Sequence, residues 1–115
     1  MKKSMIFLVS SLLLGTSSFA AGDAAAGKAK SATCVACHGA KGISTNPIYP
    51  NLAGQHAEYI TAQLKAFKSK KRINAVMDPF IQALSDKDME DLGAYYESLG
   101  AGSDDSSGGG RRRRR

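Results

Sequence analysis

The sequence predicts an all-α domain. No stretch alternates apolar and polar residues over the length of a strand, whereas two stretches place apolar residues at helical spacing and a third is rich in alanine. Residues that start and stop helices flank these stretches, with Asp23 and Ser85 before two of them and Gly100 after the last. A chain of 115 residues has room for one domain. We therefore expect three main helices and one short helix in a single unit.

The first helix is predicted to begin after Asp23, whose carboxylate can cap the free N–H groups of the first turn. The alanines at 24–26 are strong helix formers, and we expect the helix to continue to about Thr33. Gly27 stands in its middle, where glycine lowers helix stability relative to alanine. Such a glycine either marks a close crossing with another backbone or is simply tolerated.

A loop follows from Gly39 to Gln55, because glycines and prolines interrupt it and no period emerges. A long ordered loop in a small domain usually needs something to wrap around. The second helix is predicted over roughly 56–69, since Ile60, Leu64 and Phe67 fall on one face.

The distal part of the chain is predicted to hold a short and a long helix. We expect an extended connection from Asn74 to Met77 and a brief helix from Asp78 to about Leu84, with Pro79 at its favoured first position. The last helix should start with a capping box in which Asp88 pairs with Ser85. It should end before Gly100, with an inward face of Met89, Leu92, Tyr96 and Leu99.

Both termini are predicted to lie outside the folded domain. Residues 1–20 read as a secretory signal with two lysines, an apolar stretch and a small-residue cleavage site after Ala20. The alternative, an uncleaved anchor, has too short an apolar run for a membrane span. Residues 21–100 are then the domain, 101–110 a flexible Gly/Ser/Asp linker, and 111–115 five arginines that we expect to be an appended tag rather than a natural basic arm.

The net charge of +6 is not a property of the predicted domain. Seven of the 16 basic residues lie in the signal and the arginine tail, and residues 21–110 have a formal charge of −1. A partner among nucleic acids is therefore not expected. A basic cluster remains at 65–72, where the cations either form a solvated helix end or provide a surface for an acidic partner or for anionic groups of a cofactor.

The stretch Cys34-Val35-Ala36-Cys37-His38 matches the C-x-x-C-H signature of covalent haem attachment. Two thiols about one helical turn apart can each add across one of two vinyl groups on the same haem edge, and the next residue can then ligate the iron. The alternatives are a structural disulfide, a zinc half-site and a thioredoxin-like redox pair. A zinc site lacks partners because the sequence has no third cysteine, and a thioredoxin-like motif should lie in a βαβ pattern.

A haem held by His38 needs a sixth ligand or leaves that position open, and three residues are candidates. Met89 falls on the apolar stripe of the last helix, where methionine usually fills the core. His56 lies only 18 residues after His38 at a helix start, where exposure is the ordinary expectation. Met77 lies 39 residues after His38 in a connection, so the chain can pass around the porphyrin and return on its other face. We favour Met77, and a His/Met pair suits electron transfer.

Together these residues resemble the small class I cytochromes c of bacterial periplasms, with the nearest likeness to one half of the di-haem cytochromes c-four. The resemblance covers about residues 22–99. It implies an all-α class I cytochrome c fold, in which three main helices and a short distal helix surround one haem c attached through Cys34 and Cys37. It also implies that the first and last helices cross with Gly27 against Tyr95, and that Gly93 eases this approach.

The same resemblance assigns further roles around the haem. The Pro50 carbonyl should accept a hydrogen bond from the proximal ligand His38, Leu52 should pack on the haem, and Met77 should be the distal ligand. Val76 departs from the pattern, because the di-haem relatives often carry a second methionine there. The chain also has no second C-x-x-C-H motif, so we expect one haem.

The expected function is that of a soluble periplasmic electron carrier rather than an enzyme. Its partners should be redox protein donors and acceptors that bind transiently through a small surface. We expect a monomer with no membrane span once the signal is removed. One alternative is a dedicated subunit docked on a larger oxidoreductase. Another is a haem enzyme or gas sensor, which would require an open iron site.

Overall fold

The computed structural model describes residues 22–100, and this part of the chain contains helices, turns and loops but no strand. In chain order the helices are α1 (Ala24–Lys30), α2 (Val35–His38), α3 (Ala57–Lys68), α4 (Asp78–Ile81) and α5 (Asp86–Ser98), with a 3-10 turn at Ser31–Thr33 between the first two. The predicted all-α class is confirmed. The predicted signal, linker and arginine tail lie outside the described residues.

Side-chain caps define the starts of α1 and α5, as predicted. The N–H groups of Ala25 and Ala26 donate to Asp23 Oδ1 at 2.9 and 3.2 Å. At α5 the Asp88 N–H donates to Ser85 Oγ at 3.1 Å, and the Ser85 N–H donates to Asp88 Oδ2 at 2.9 Å. Each cap satisfies donors that a helix cannot pair internally.

The short helix α4 ends at Ile81 and not at about Leu84 as predicted. Two further local predictions were wrong, and a short polar side chain explains each. The first α-helix does not continue to Thr33, because the Ser31 hydroxyl donates to the Lys28 carbonyl at 2.7 Å and the chain tightens into a 3-10 turn. The connection before Asp78 is a turn rather than an extended segment. There Asn74 Oδ1 accepts the N–H groups of Val76 and Met77 at 2.9 and 3.2 Å.

The crossing of α1 over α5 holds the N-terminal part of the domain in place. A Cβ atom at Gly27 would lie 1.9 Å from the Asp91 carbonyl oxygen and 2.8 Å from Tyr95 Cβ, so only glycine fits. The buried Asp91 side chain accepts the Asp23 N–H at 2.7 Å and pairs with Lys87 at 2.8 Å. The hydrogen bond from Lys87 has the largest effect and the one from the Asp23 N–H the next largest, and together they hold the pKa of Asp91 below its usual value. The expected contact of Gly27 with Tyr95 is confirmed.

Gly93 serves a different contact from the one expected. A Cβ atom there would lie 2.5 Å from the Ala57 carbonyl oxygen and 2.6 Å from Thr61 Oγ1, both on α3. The reason is helical geometry, because Gly93 is two residues from Asp91 and Tyr95 and therefore points about 200° away from them. The glycine thus eases the packing of α5 on α3 and not on α1.

The core lies where α5 meets α3, around a cluster of Ile60, Leu92, Tyr95 and Tyr96. Three of the four residues predicted for the inward face of α5 are buried, and Leu99 is half-buried. In α3 the predicted stripe is buried at Ile60 and Phe67 and half-buried at Leu64. The helix packing leaves one side of this core facing a cavity.

Replacing Gly27 by alanine tests the helix crossing. We expect a loss of about 3 kcal/mol in the free energy of unfolding, because the new methyl group overlaps the α5 backbone and the helices must separate. Urea unfolding followed by far-UV circular dichroism measures it. The control Ala29→Gly, on the exposed side of α1, should cost only about 1 kcal/mol through helix propensity. Equal losses in the two variants would contradict the close crossing.

Candidate haem-binding site

A cavity of about 450 Å³ opens between the C-x-x-C-H motif, the loop after it, α3, α5 and the stretch 74–84 that contains Met77 and α4. This volume is typical of ligand pockets, which span roughly 300–1,000 Å³. The six residues that were favoured for the site all line the cavity: Cys34, Cys37, His38, Pro50, Leu52 and Met77. The fold therefore brings together side chains that are up to 43 positions apart in the chain.

His38 ends α2 and is only 5% exposed. Its Nδ1 lies 2.8 Å from the Pro50 carbonyl oxygen. Because a carbonyl can only accept, Nδ1 carries the hydrogen, and the lone pair of the neutral ring is on Nε2. Nε2 is buried and has no hydrogen-bond partner. A buried lone pair without a partner is costly, and an imidazole nitrogen fixed in this way is suited to bind a metal.

The two cysteines flank one turn of the chain beside His38. The N–H groups of Cys37 and His38 donate to the Cys34 carbonyl at 3.3 and 2.9 Å, so the thiols are separated by a single helical turn. Both cysteines are half-buried and neither is in a disulfide. Within residues 22–100, no three His, Cys, Asp or Glu side chains gather as a metal-binding group.

The loop between α2 and α3 wraps the cavity through its own hydrogen bonds. Ser44 Oγ donates to the Cys37 carbonyl at 3.0 Å, which ties the loop to the motif. The Ser44 N–H donates to Asn51 Oδ1 at 2.7 Å, and the Leu52 N–H donates to the Gly42 carbonyl at 2.8 Å. These bonds hold Pro50 between two anchored residues, so that its carbonyl reaches His38.

The three candidates for a sixth ligand occupy different places. Met77 is half-buried and lines the cavity with His38. Met89 is fully buried in the core and does not line this cavity. His56 has an 88% exposed side chain, lies 4.0 Å from Glu97, and is also absent from the cavity wall. Of the three, only the Met77 position is compatible with a ligand to a group in the cavity.

Among the further residues of the cavity wall, Arg72 and Tyr96 carry polar groups. Arg72 belongs to the basic cluster at 65–72, for which contacts to anionic groups of a cofactor were one expectation, whereas Tyr96 was not expected at the site. Arg72 lines the cavity, with its guanidinium 4.5 Å from the centre of the Phe67 ring. Tyr96 was expected only as a core residue, but it also lines the cavity, and its buried hydroxyl has no hydrogen-bond partner. Burial first, and then the neighbouring Cys34, raises the pKa of Tyr96 well above its usual value. The feature of the sequence that could have indicated a place for Tyr96 at the site is its polar hydroxyl on an otherwise apolar face of α5.

The unpartnered Nε2 of His38, the two unpaired thiols and the largely apolar wall fit a covalently attached haem. The protein-family model described as "Cytochrome c" matches residues 24–100. The chain belongs to the cytochrome c family. It is accordingly an electron-transfer haem protein and not an enzyme.

Named relatives narrow the likeness to cytochrome c4 and its kin. The chain is 52% identical over 81 residues to cytochrome c-554(548) of Halomonas halodenitrificans, covering 68% of this chain and 98% of that protein. It is 45% identical over 98 residues to cytochrome c4 of Pseudomonas aeruginosa, covering 85% of this chain and 49% of that protein. The crystal structure of reduced recombinant cytochrome c4 from Pseudomonas stutzeri superposes with a TM-score of 0.65 at 41% identity, covering 68% of this chain and 46% of that one.

The chain therefore spans about half the length of the cytochrome c4 relatives that it matches, and it fits one cytochrome c4-like half. It spans nearly the whole of the cytochrome c-554(548) relative. In the part of the chain that the structure describes, no helix is both long and apolar enough to cross a membrane.

Tyr96→Phe tests the buried hydroxyl. Because the pKa of Tyr96 is raised in the folded state, its contribution to stability is fully present below the ordinary tyrosine pKa and is lost as the pH rises above about 10. We expect the variant to be at least as stable as the parent at neutral pH, since it no longer buries a hydroxyl without a partner, and to lose less stability above about pH 10. Urea unfolding at several pH values measures this.

The control is Tyr59→Phe, which removes a hydroxyl from a half-exposed ring. This variant should lose as much stability above about pH 10 as the parent does. If Tyr59→Phe and Tyr96→Phe respond alike above about pH 10, the alkaline loss does not come from the Tyr96 hydroxyl.

Proposed function

We propose that this chain is an exported, periplasmic electron carrier that holds one haem c. In this proposal Cys34 and Cys37 form the thioether attachments, His38 is the proximal iron ligand and Met77 is the distal ligand. When bound, the haem supplies an iron that takes up and releases one electron between Fe(II) and Fe(III). The observation that carries the proposal is the buried, unpartnered Nε2 of His38 in a largely apolar cavity that Met77 also lines.

Pro50 orients the proximal ligand in this proposal. Its carbonyl accepts the Nδ1 hydrogen of His38, which fixes the ring about its long axis and leaves Nε2 as the only free lone pair. A hydrogen bond of this kind also raises the basicity of the ligating nitrogen. His38 thus needs no rearrangement to ligate, and the ring cannot turn its protonated nitrogen toward the cavity without breaking that bond.

The cavity wall excludes water from the proposed cofactor. Leu52 packs against the core cluster, and further apolar walls come from Ile60, Leu64, Phe67, Ile81 and Leu92. A wall of low polarity raises the reduction potential, because it disfavours the more highly charged oxidised iron. A thioether from Met77 would act in the same direction and would occupy a ligand position of the iron that an enzyme or gas sensor needs open, which argues against both of these alternatives.

An apolar rim supports docking of protein partners at this cavity. Ile48, Tyr59, Val76 and Phe80 line the cavity, yet they are 73%, 51%, 54% and 44% exposed. Redox encounters use small surfaces, and a few exposed apolar side chains suit a short-lived contact with donor and acceptor proteins. The same rim also favours the second candidate, a subunit permanently docked on a larger oxidoreductase.

Native mass spectrometry of the protein purified from the periplasm separates these two candidates. For the carrier we expect a single chain that begins at Ala21, holds one haem, and binds no other protein through purification. The physical reason is that the sequence has one pair of cysteines for attachment and that a small apolar rim releases its partner readily. A stable complex with a larger chain would favour the subunit instead.

Met77→Ala tests the distal ligand. The resemblance to class I cytochromes c implies a far-red absorption band in the oxidised protein when methionine is bound to the iron. We expect this band to disappear in the variant, and the reduction potential to fall, because a softer thioether ligand is replaced by water. Absorption spectra and a redox titration measure both changes.

Met89→Leu is the matched control. It removes the second methionine of residues 22–100, which lies in α5, and it conserves core volume. The band and the potential should match those of the parent. Survival of the far-red band in Met77→Ala would refute the assignment of Met77.

A further inference from the structure

The basic cluster at 65–72 is largely engaged within the chain. Lys65 Nζ lies 3.4 Å from Glu90 Oε1, Lys68 Nζ donates to the Leu84 carbonyl, and Lys70 Nζ pairs with Asp78 Oδ1. Arg72 donates to Gln63 Oε1 at 2.7 Å. Within residues 22–100, Lys71 is the member of the cluster without a hydrogen bond or ion pair. Three of the four lysines and Arg72 therefore have partners within the chain.

Two of these lysines reach the distal segment, which we define as residues 74–84. Lys70 pairs with Asp78, the residue directly after Met77. Lys68 binds the carbonyl of Leu84 at the far end of the segment. The end of α3 is therefore fastened to the distal segment at two points, one at the first residue of α4 and one beyond the end of α4. Between these points Ile81 is 2% exposed, so the segment is also anchored by packing.

Asn74 fixes the other side of Met77. Its Oδ1 accepts the N–H groups of Val76 and Met77, and its carbonyl accepts the Asp78 N–H at 3.0 Å. Asp78 Oδ1 also accepts Gln82 Nε2 at 3.1 Å, which links the pair to the next turn. The backbone of Met77 is thus held between a side-chain cap before it and an ion pair after it.

Lys70 follows Ser69, the C-cap of α3, at the place where many helices end in a left-handed residue. Lys70 has a φ of 62°. Within residues 22–100, every other residue with a positive φ is a glycine. A glycine would adopt this conformation at lower cost, yet a lysine stands at the position and its ammonium group reaches Asp78. The lysine at this position thus ends α3 and also reaches Asp78.

We propose that Lys70, Asp78 and Asn74 form a clamp that positions Met77, keeping its thioether at the cavity and so limiting access of other ligands to the proposed haem iron. The proposal rests on the proposed function, because it takes Met77 as the distal ligand. These three are positioning residues and touch no reacting atom. When the clamp loosens, the distal segment spends a larger fraction of time displaced, and the distal position is exposed for that fraction.

The affinity for an added ligand reports this fraction directly. A ligand that binds only the open form has an apparent dissociation constant equal to its intrinsic value divided by the open fraction. Imidazole added to the oxidised holoprotein is a suitable probe, because its binding displaces methionine and removes the far-red band. A spectrophotometric titration at one pH and salt concentration gives its dissociation constant.

Lys70→Ala is the test, and Lys71→Ala is its matched control. The two variants remove the same charge from adjacent positions, but Lys70 pairs with Asp78 and Lys71 is unpaired within residues 22–100. We expect imidazole to bind about fivefold more tightly to Lys70→Ala and to Asn74→Ala, the size of effect that a lost ion pair or cap produces. Lys71→Ala should bind it as the parent does. The charge swap Lys70→Asp with Asp78→Lys should restore the parent value.

Two other readouts separate the clamp from a merely structural role. The free energy of unfolding in urea should change by a small and similar amount in the Lys70 and Lys71 variants, because both side chains are on the surface. If imidazole affinity changes equally in Lys70→Ala and Lys71→Ala, or in neither, the clamp is overturned while the assignment of Met77 stands. If the parent lacks the far-red band and binds imidazole as tightly as Met77→Ala, both the ligand assignment and the clamp are overturned.

Discussion

The site depends first on the hydrogen bond between His38 Nδ1 and the Pro50 carbonyl. This one contact decides which ring nitrogen carries the hydrogen, and hence that the buried Nε2 is a lone pair that the protein itself leaves unpaired. The loop around Pro50 is organised to make the contact, since Ser44 ties it to the motif and Leu52 to Gly42. A binding site thus arises from a loop that has little regular structure.

The helices supply the rigid frame on which that loop is built. The α1–α5 crossing at Gly27 and the packing of α5 on α3 at Gly93 bring backbones together more closely than any side chain would allow. Asp91 adds a buried polar link, because it accepts the Asp23 N–H and pairs with Lys87. With these contacts in place, α5 can present Leu92 and Tyr96 to the cavity.

The two faces of the cavity are held by different means. The proximal side relies on backbone carbonyls and short loop hydrogen bonds around His38, whereas the distal side relies on side chains from the end of α3. Lys68 and Lys70 span to the distal segment, and Asn74 shapes the turn before Met77. Exposed ion pairs are individually weak, and the buried side chain of Ile81 adds a packing anchor to this side.

The sequence by itself predicted the three main helices, the caps that start α1 and α5, and the C-x-x-C-H motif, because these depend on short-range patterns. Asp23, the Ser85–Asp88 box and the C-x-x-C-H spacing are readable within a few residues. Only the tertiary structure decided which partner each residue meets: Gly93 meets α3 and not α1, Lys70 meets Asp78, and the hydroxyl of Tyr96 is buried without a partner. Residues distant in the chain meet through helix rotation and packing, which the spacing of residues along one element does not specify.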